Sequence, residues 1–472
     1  MNLRDYQIQL VDDVKSAFKK TKRVIMQSPT GSGKTFVFCY MAKLAQQKGN
    51  NVLIVTDRVE LLKQSGGALS VLGVVFSEIK AGEQHELDNS VHVAMVETLS
   101  RRLKNDLRYQ IFLSRIDLLI LDEAHLRHHD KLFNFLSDHT YVLGATATPL
   151  RAGTGSGLYD YFRSLINGPP IESLIKNGNL VPAITYGMPI DFSGVSIKNG
   201  EYDPEEQRTK IYSKNKVYSG FIDNWKKHCN GKKTLVFCSN VKASKDLCGR
   251  LNGAGLSASH IDGNMSGTAK TEVVKMFRTG EITILTSISM LTTGFDLPDI
   301  ECIALYRATR SLPLYLQMCG RGARPSEGKR QFTILDFGMN VGRFGFWQED
   351  REWTLNKKQC KKLSEPGLIP VKLCPNCDAM LKITVLLCPF CGHVIDRSVS
   401  ESRFVMLQEL SYKEMVKEKK TVNELEVIRQ AKGYKQGWVL RQLGTIDRFK
   451  EYGQIKGYKP QWAYMQYKRY TT

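Results

Sequence analysis

The sequence predicts an α/β protein of two tandem parallel-sheet domains, followed by a small zinc module and a basic, helical C-terminal region. Three observations predict this. Short apolar runs alternate with amphipathic helical stretches over residues 1–165, which implies a parallel sheet covered on both faces. The same rhythm restarts near residue 212 without any repeat of the sequence itself. Beyond about residue 350 it stops, and a cysteine-rich segment and a basic, aromatic tail follow.

A chain of 472 residues exceeds one ordinary domain, since domains run to roughly 100–200 residues each. Apolar residues make up 42% and charged residues 24%, a balance that lets each domain bury its own core. The net charge of +20 and pI near 9.4 favour a polyanionic partner, because Lys and Arg beside phosphates release condensed counterions. The opening MNLRDYQIQL is charged and lacks the apolar core of a signal peptide. No apolar run is long enough to span a bilayer, so no membrane partner is expected. Seven of the eleven cysteines (39, 229, 238, 248, 302, 319 and 360) are scattered. Several lie in apolar runs and read as buried thiols, which fits a reducing, cytoplasmic compartment: the nucleoid of a cell, or the host cytoplasm for a viral chain.

The first domain, residues 1–168, takes its strands from RVIMQS (23–28), NVLIVT (51–56), VHVAMV (91–96), DLLILD (117–122) and YVLGAT (141–146). The second, 169–350, takes them from TLVFCS (234–239), ITILTS (282–287), CIALYR (302–307) and FTILDF (332–337). The stretch 150–210 is rich in Gly, Pro and polar residues and reads as a linker with an irregular insertion.

SPTGSGKT (28–35) follows a strand and opens a helix, the context that a phosphate-binding loop requires. Ser28, Pro29, Thr30, Gly31, Ser32 and Gly33 form the loop, whose amides and helix N-terminus face the phosphates of ATP. Lys34 neutralises those phosphates, and Thr35 can hold magnesium. Ser28 stands where the strict pattern has its first glycine. LDEAH (121–125) ends a strand of the same domain. Asp122 is suited to bind Mg²⁺ through water and Glu123 to polarise the attacking water; His125 is grouped with them as catalytic. His128 and His129 follow, and a polar loop is the preferred reading over a metal site. Asp336-Phe337-Gly338 mimics a kinase motif, but none of its partner motifs accompanies it.

The order of motifs over residues 3–343 resembles that of superfamily 2 helicases of the DEAH type. LRDYQ (3–7) resembles their adenine-reading motif, which implies Gln7 on the base edge. TDRVELLKQS (56–65) resembles motif Ia, implying a phosphate contact at Arg58, and ETLSRR (97–102) resembles the next strand-contact motif, bringing in Thr98. GATATP (144–149) is similar to motif III and LVFCSN (235–240) to motif IV, with Ser239 as its nucleic-acid contact. TSISMLTTGFDLP (286–298) resembles motif V, implying Thr286 on the nucleic acid and Gly294 and Asp296 at the nucleotide. QMCGRGAR (317–324) resembles motif VI. Phosphoryl transfer spreads negative charge over the γ-phosphate, and arginines delivered from the second domain stabilise it. Arg321 and Arg324, spaced i, i+3, are expected on one helical face. The resemblance implies two RecA-like domains that clamp ATP between them.

CPNC (374–377) and CPFC (388–391) place Cys374, Cys377, Cys388 and Cys391 at the spacing of a tetrahedral structural zinc site, within a module at 370–395. Residues 402–472 carry 15 Lys and Arg against 7 Asp and Glu, a net charge of +8, and 11 aromatics. Basic residues interleaved with Trp462 and Tyr464 suit backbone contact with base stacking; a small helical domain with a tryptophan core is the alternative. The run ILDFGMNVGRFG (334–345), the zinc module and the tail together resemble RadD-type DNA-repair helicases and related phage DEAD/DEAH-box helicases, which implies DNA rather than RNA as the substrate. The LRDYQ opening also resembles restriction-enzyme motors. The expected function is an ATP-dependent DNA helicase or translocase in replication, repair or recombination, with proteins of those processes as partners. An RNA helicase, an ATP-gated clamp and a restriction motor subunit are the rival readings.

Overall fold

The structure, a computed structural model, describes residues 3–83, 85–151, 157–188, 190–288, 297–357, 359–360, 371–395, 422–431, 436–443 and 446–471. The chain forms two compact units, Met1–Ser400 and Glu401–Thr472.

The first unit holds both large sheets. Strands β1 (Arg23–Gln27), β2 (Val52–Thr56), β3 (Ser77–Ile79), β4 (Val91–Met95), β5 (Leu118–Asp122), β6 (Tyr141–Thr146) and β7 (Ser164–Asn167) form one parallel sheet in the order β3-β4-β2-β5-β6-β1-β7. The runs VLIVT and LLILD are buried at every position, as expected of strands covered on both faces. Apolar clusters on either side of the sheet include Val24, Val52 and Ile120 on one face and Ile25, Leu53 and Leu119 on the other.

The second sheet is built from β8 (Ala183–Gly187), β11 (Thr234–Cys238), β12 (Ala258–Ile261), β13 (Ile284–Ser287), β14 (Cys302–Tyr306) and β15 (Phe332–Asp336), in the order β12-β13-β11-β14-β15-β8 and again all parallel. A small antiparallel hairpin, β9 (Ile197–Lys198) and β10 (Glu201–Tyr202), precedes the helix Asn215–Cys229. Helix ends are fixed locally. Ser266 caps Gly267–Thr279 through the Ala269 amide, and Gly280 ends that helix in the left-handed region.

In its described residues the stretch 150–210 carries more regular structure than its composition suggests. It contributes β7 to the first sheet and β8 to the second, plus the β9–β10 hairpin turning on Asn199 and Gly200, both with positive φ. Among its described residues, Gly and Pro bound short strands and a tight Asn-Gly turn within the stretch read as a linker with an irregular insertion.

After the second sheet, β16 (Val371–Leu373) and β17 (Met380–Lys382) pair antiparallel in the cysteine-rich module. The module packs on β8: a Cβ at Gly187 would lie 2.7 Å from Met380 Cε. Lys227–Asp378 at 2.5 Å and Lys382–Glu349 at 2.8 Å tie it to the same domain. Among the described residues, no helix is long and apolar enough to cross a membrane.

The second unit contains four helices among its described residues, Val422–Ala431, Gln436–Leu443, Ile446–Ile455 and Pro460–Thr471. Leu425, Val439, Leu443, Phe449 and Tyr452 form its core, with Trp462 packed against them. Glu426 is buried within it and accepts hydrogen bonds from Arg429 at 2.8 and 2.9 Å and from the Tyr452 hydroxyl at 3.0 Å, with Lys456 as a further ionic partner. The Arg429 guanidinium, with Lys456 and Tyr452, holds this carboxyl down at about 2. A depressed carboxyl stabilises the fold above its unfolded value of about 4.3 and loses that contribution as pH falls towards the folded value. Amide protection over 422–471 in the full chain, measured relative to intrinsic exchange at each pH, should therefore fall between about pH 4.5 and about pH 2. In Glu426→Gln the exchange should be faster at neutral pH and its acid dependence flattened; an unchanged acid profile would remove Glu426 as the cause.

Candidate active site

Sheet order brings three motifs together. β5, β6 and β1 are neighbours, so LDEAH, TATP and SPTGSGKT leave the sheet side by side at its carboxyl edge, where ligands of open α/β sheets bind. The loop 28–33 turns on Gly31 at φ +89° and Gly33 at φ +81°, a region costly to residues with a Cβ. Ser28 Oγ and Ser32 Oγ lie 2.6 Å apart, and Ser32 Oγ donates to Pro29 O at 2.6 Å, so the loop is braced from within. Gly33 then caps the helix Lys34–Gln46.

Lys34 Nζ lies 2.6 Å from Glu123 Oε1 and 3.2 Å from Asp122 Oδ1. All three groups are nearly sealed from solvent, which makes their charges strongly interdependent. Burial pushes Asp122 up to about 6, with Glu123 adding to the rise and Lys34 opposing it. For Glu123, burial acts upward, but Lys34, His125 and Arg321 outweigh it and the carboxyl is lowered. Burial acts downward on Lys34, and the two carboxylates reverse it, so its ammonium is held above the usual value. Glu123 also sits at φ +49°, a strained conformation for a residue with a side chain.

Burial brings His125 down to about 4, leaving its imidazole neutral. Its Nδ1 lies 2.9 Å from Thr146 Oγ1, a direct link from LDEAH to GATATP. His129 is buried with Nε2 3.0 Å from the Asp122 carbonyl, and His128 is an exposed neighbour of Glu97. Neither belongs to a metal-ligating group among the described residues.

Across the cleft stand Arg321 and Arg324. A cavity of about 520 Å³ is lined by Thr30, Lys34, Glu123, Gln317, Arg321 and Arg324, among others. The arginines do not share a helical face as their spacing suggested: the helix Leu312–Gly320 ends just before them and they occupy the following turn. Two glycines explain this. A Cβ at Gly320 would lie 2.6 Å from Thr30 Cβ, and one at Gly322 would lie 2.3 Å from Phe332 Cδ2. Close approach of the second domain to the phosphate loop therefore requires glycine there. Gln317 also lines the cleft, with a buried Nε2 that has no hydrogen-bond partner among the described residues. It is the first residue of the QMCGRGAR run and stands one turn before Arg321, although no role is assigned to it from the sequence.

The other sequence-predicted residues fall in several places. Gln7 is buried: Nε2 donates to Ser32 O at 3.1 Å and Oε1 accepts from Arg4 N at 2.9 Å, so its side chain engages the loop backbone. Thr35 lines the cleft beside Lys34. Gly294 and Asp296 lie outside the described residues. Arg58 caps the helix Val59–Val71 with Nε 3.6 Å from Asp57, and Thr98 is half-buried on the helix Val96–Asn105. Ser239 and Thr286, expected to touch nucleic acid, are buried. Thr286 Oγ1 donates inward to Ser244 O at 3.1 Å. Trp462 is part of a packed helical core rather than a free stacking platform, whereas Tyr464 is 58% exposed with Lys450 Nζ 5.5 Å from its ring.

The four module cysteines converge. Their sulfurs all lie within 4.8 Å of one another, with Cys374–Cys391 at 3.6 Å and Cys377–Cys388 at 3.7 Å. Tetrahedral ligands at a Zn–S length of about 2.3 Å stand roughly 3.8 Å apart, so the donor set and spacing can hold such an ion. Disulfide bonding would need sulfurs about 2.05 Å apart.

Comparison with known proteins agrees with this arrangement. Residues 1–151 match the family model of the type III restriction enzyme res subunit, and 214–326 match the helicase conserved C-terminal domain. A 51.5 kDa protein of Lactococcus phage (isolate 7-9) is 30% identical over 89% of this chain and 88% of its own length. A Schizosaccharomyces pombe protein whose name assigns it to the mitochondrial ATP-dependent helicases (irc3) is 29% identical over 73% of this chain and 58% of its own. The DNA-bound type ISP restriction-modification enzyme LlaBIII shares the fold over 72% of this chain and 28% of its own, with a TM-score of 0.53 at 15% identity. Two helicase halves in this order, each on its own parallel sheet, and a relative aligned along nearly its whole length place the chain in the superfamily 2 helicase family.

Proposed function

We propose that this helicase couples ATP hydrolysis to movement along DNA. The observation that carries the reading is the cleft itself, where Lys34, Asp122 and Glu123 from one sheet face Arg321 and Arg324 from the other. The ammonium of Lys34 is the natural partner of a phosphate oxygen. When it turns to one, Glu123 loses its closest cation and can accept a proton from a water aimed at the γ-phosphorus. That water attacks, the bond to the β-phosphate oxygen breaks, and ADP and phosphate result. A magnesium ion, for which Thr35 and Asp122 supply the oxygen donors, would shield the phosphate charge. Arg321 and Arg324 neutralise charge that builds up in the transition state. Since they belong to the second domain, bound ATP draws the sheets together and hydrolysis relaxes them. Neutral His125, bonded to Thr146, passes the change to motif III.

The match of residues 1–151 to a restriction-enzyme motor supports DNA as the track. It also supports a second reading, translocation without strand separation. ATPase assays on single-stranded DNA, duplex, forked DNA and RNA test the first reading; strand-displacement against streptavidin-displacement assays decide between the two. Greater stimulation by RNA than by any DNA would overturn the choice of substrate. Cytoplasmic location and partners in repair or replication belong to the same proposal.

Lys34→Ala should abolish ATP turnover. Glu123→Gln should retain nucleotide binding and stall hydrolysis, and Arg321→Ala should lower kcat by about 10³-fold. Near-normal turnover in Glu123→Gln would exclude it as the base.

We assign zinc to the cysteine cluster. The purified chain should carry one equivalent by elemental analysis, and Cys391→Ser should lose it and make 371–395 protease-sensitive, because metal binding and folding are one process in so small a module. Protein purified without chelator that holds no zinc would contradict the assignment.

For the C-terminal unit, Tyr464→Ala should weaken nucleic-acid binding by roughly 1–3 kcal/mol without lowering the melting temperature. Trp462→Ala should lower thermal stability first. The reverse pattern, read from melting and affinity on the same two variants, would remove Tyr464 as a stacking residue.

A further inference from the structure

The side chains of Ser239 and Thr286, which the motifs of the second domain suggested for nucleic-acid contact, are withdrawn from solvent. Ser239 is 4% exposed and Thr286 is fully buried. Thr286 is locked by Ser244, whose Oγ lies 2.7 Å from His260 Nδ1, while His260 Nε2 lies 2.8 Å from Asp262. This Ser–His–Asp chain has its serine fully buried, so it holds structure and is not open to a substrate. Above Ser239 lies a roof made by the segment 201–213. Asn240 Nδ2 donates to Pro204 O at 3.2 Å and to Glu205 Oε2 at 2.8 Å, Gln207 Oε1 accepts from the Ala308 amide at 2.8 Å, and the Tyr212 hydroxyl donates to Phe337 O at 3.1 Å. The segment thus bridges the residues that follow β11, β14 and β15, and covers the carboxyl edge of the second sheet.

Between this roof and the helix Val241–Gly253 runs a groove of about 560 Å³. Arg208, Lys245 and Arg250 line it against a single carboxylate, Asp246, and Tyr212 and Tyr306 form its floor. Arg208 is fixed by Glu205 at 2.5 Å and Asp246 at 3.4 Å. Lys245 is 62% exposed, with its nearest carboxylate, Asp262, at the 3.9 Å limit of an ion pair. Arg250 stacks over Tyr218 at 4.8 Å. Lys214 and Lys242, both exposed, adjoin the lining residues Ser213 and Ala243 along the chain. Gly249 also lines it, and a Cβ there would meet nothing within 4 Å.

We infer that this groove, built by the 201–213 segment on the helix Val241–Gly253, binds the phosphodiester backbone of the nucleic acid in the second domain. The inference rests on the helicase reading and gives it a site. The groove meets two requirements of such a site: it begins at the carboxyl edge of the sheet, where ligands approach, and its cations outnumber its carboxylates. Phosphates would displace counterions from Lys245 and Arg250.

The test uses the full chain and measures, by anisotropy without ATP, binding of a labelled single-stranded oligonucleotide and of its duplex over a salt series. Lys245→Glu with Arg250→Glu should weaken binding about tenfold or more and reduce the salt slope on single strands by roughly 0.7 for each phosphate no longer neutralised. Lys245→Arg should restore the affinity forfeited in Lys245→Glu. Lys19→Glu with Lys20→Glu, exposed residues of the first domain, makes the same change in net charge and should leave affinity within about twofold. A melting temperature close to that of the unmodified chain certifies the charge-reversed protein; if it unfolds, Lys245→Gln with Arg250→Gln carries the same expectation with a smaller loss. Unchanged affinity and slope, or equal losses in the site and control pairs, overturn the groove. Failure of the unmodified chain to bind either oligonucleotide overturns the helicase reading and the groove with it.

Discussion

A charge taken out of water must be paired, and the Lys34–Asp122–Glu123 triangle is where that constraint acts most strongly in this protein. An unpaired ammonium or carboxylate at such depth costs several kcal/mol. The three groups therefore depend on one another, and their alignment depends on β1 and β5 holding register through the intervening β6. The left-handed backbone at Glu123 adds local strain at the same point. The proposed mechanism has Lys34 change partners, and a lysine shared between two carboxylates is already divided in its allegiance.

The second domain contributes through proximity rather than through new chemistry. In the proposed mechanism its arginines act only if the turn after Leu312–Gly320 can approach Thr30, and that approach is permitted by the missing side chain at Gly320. Gly322 does the same on the inner side against Phe332. The GRG spacing thus records two close approaches, one toward the nucleotide loop and one toward the core. On that mechanism charge delivery and domain packing are the same event.

Much of the fold is legible in the sequence because its core strands are apolar and uninterrupted. VLIVT and LLILD have no plausible place except a sheet buried on both faces. β3, β7, β8 and β12 are not legible, because they span only three to five residues and mix Ser, His, Asn or Gly with apolar positions. The β9–β10 turn does carry a local signal, Asn199-Gly200, masked by the polar composition around it. The nucleotide site is legible because each motif is contiguous in sequence. The roof over Ser239 is not, since it arises from contacts between residues 36 to 125 positions apart. A motif identifies which residues stand after a strand; it does not say what later folds over them.

The packing of the cysteine module on β8 has a further consequence. β8 is an outer strand of its sheet, and an uncovered strand edge is a template for pairing with another chain. The module, set against it through Met380 and Gly187 and tied in by Lys227 and Lys382, covers part of that strand. On the proposed zinc assignment, the order of this cover depends on the metal. A chain stripped of metal would be expected to associate with its own copies through the bared strand while its nucleotide cleft was still assembled, so metal content would be read first in light scattering and only later in catalysis.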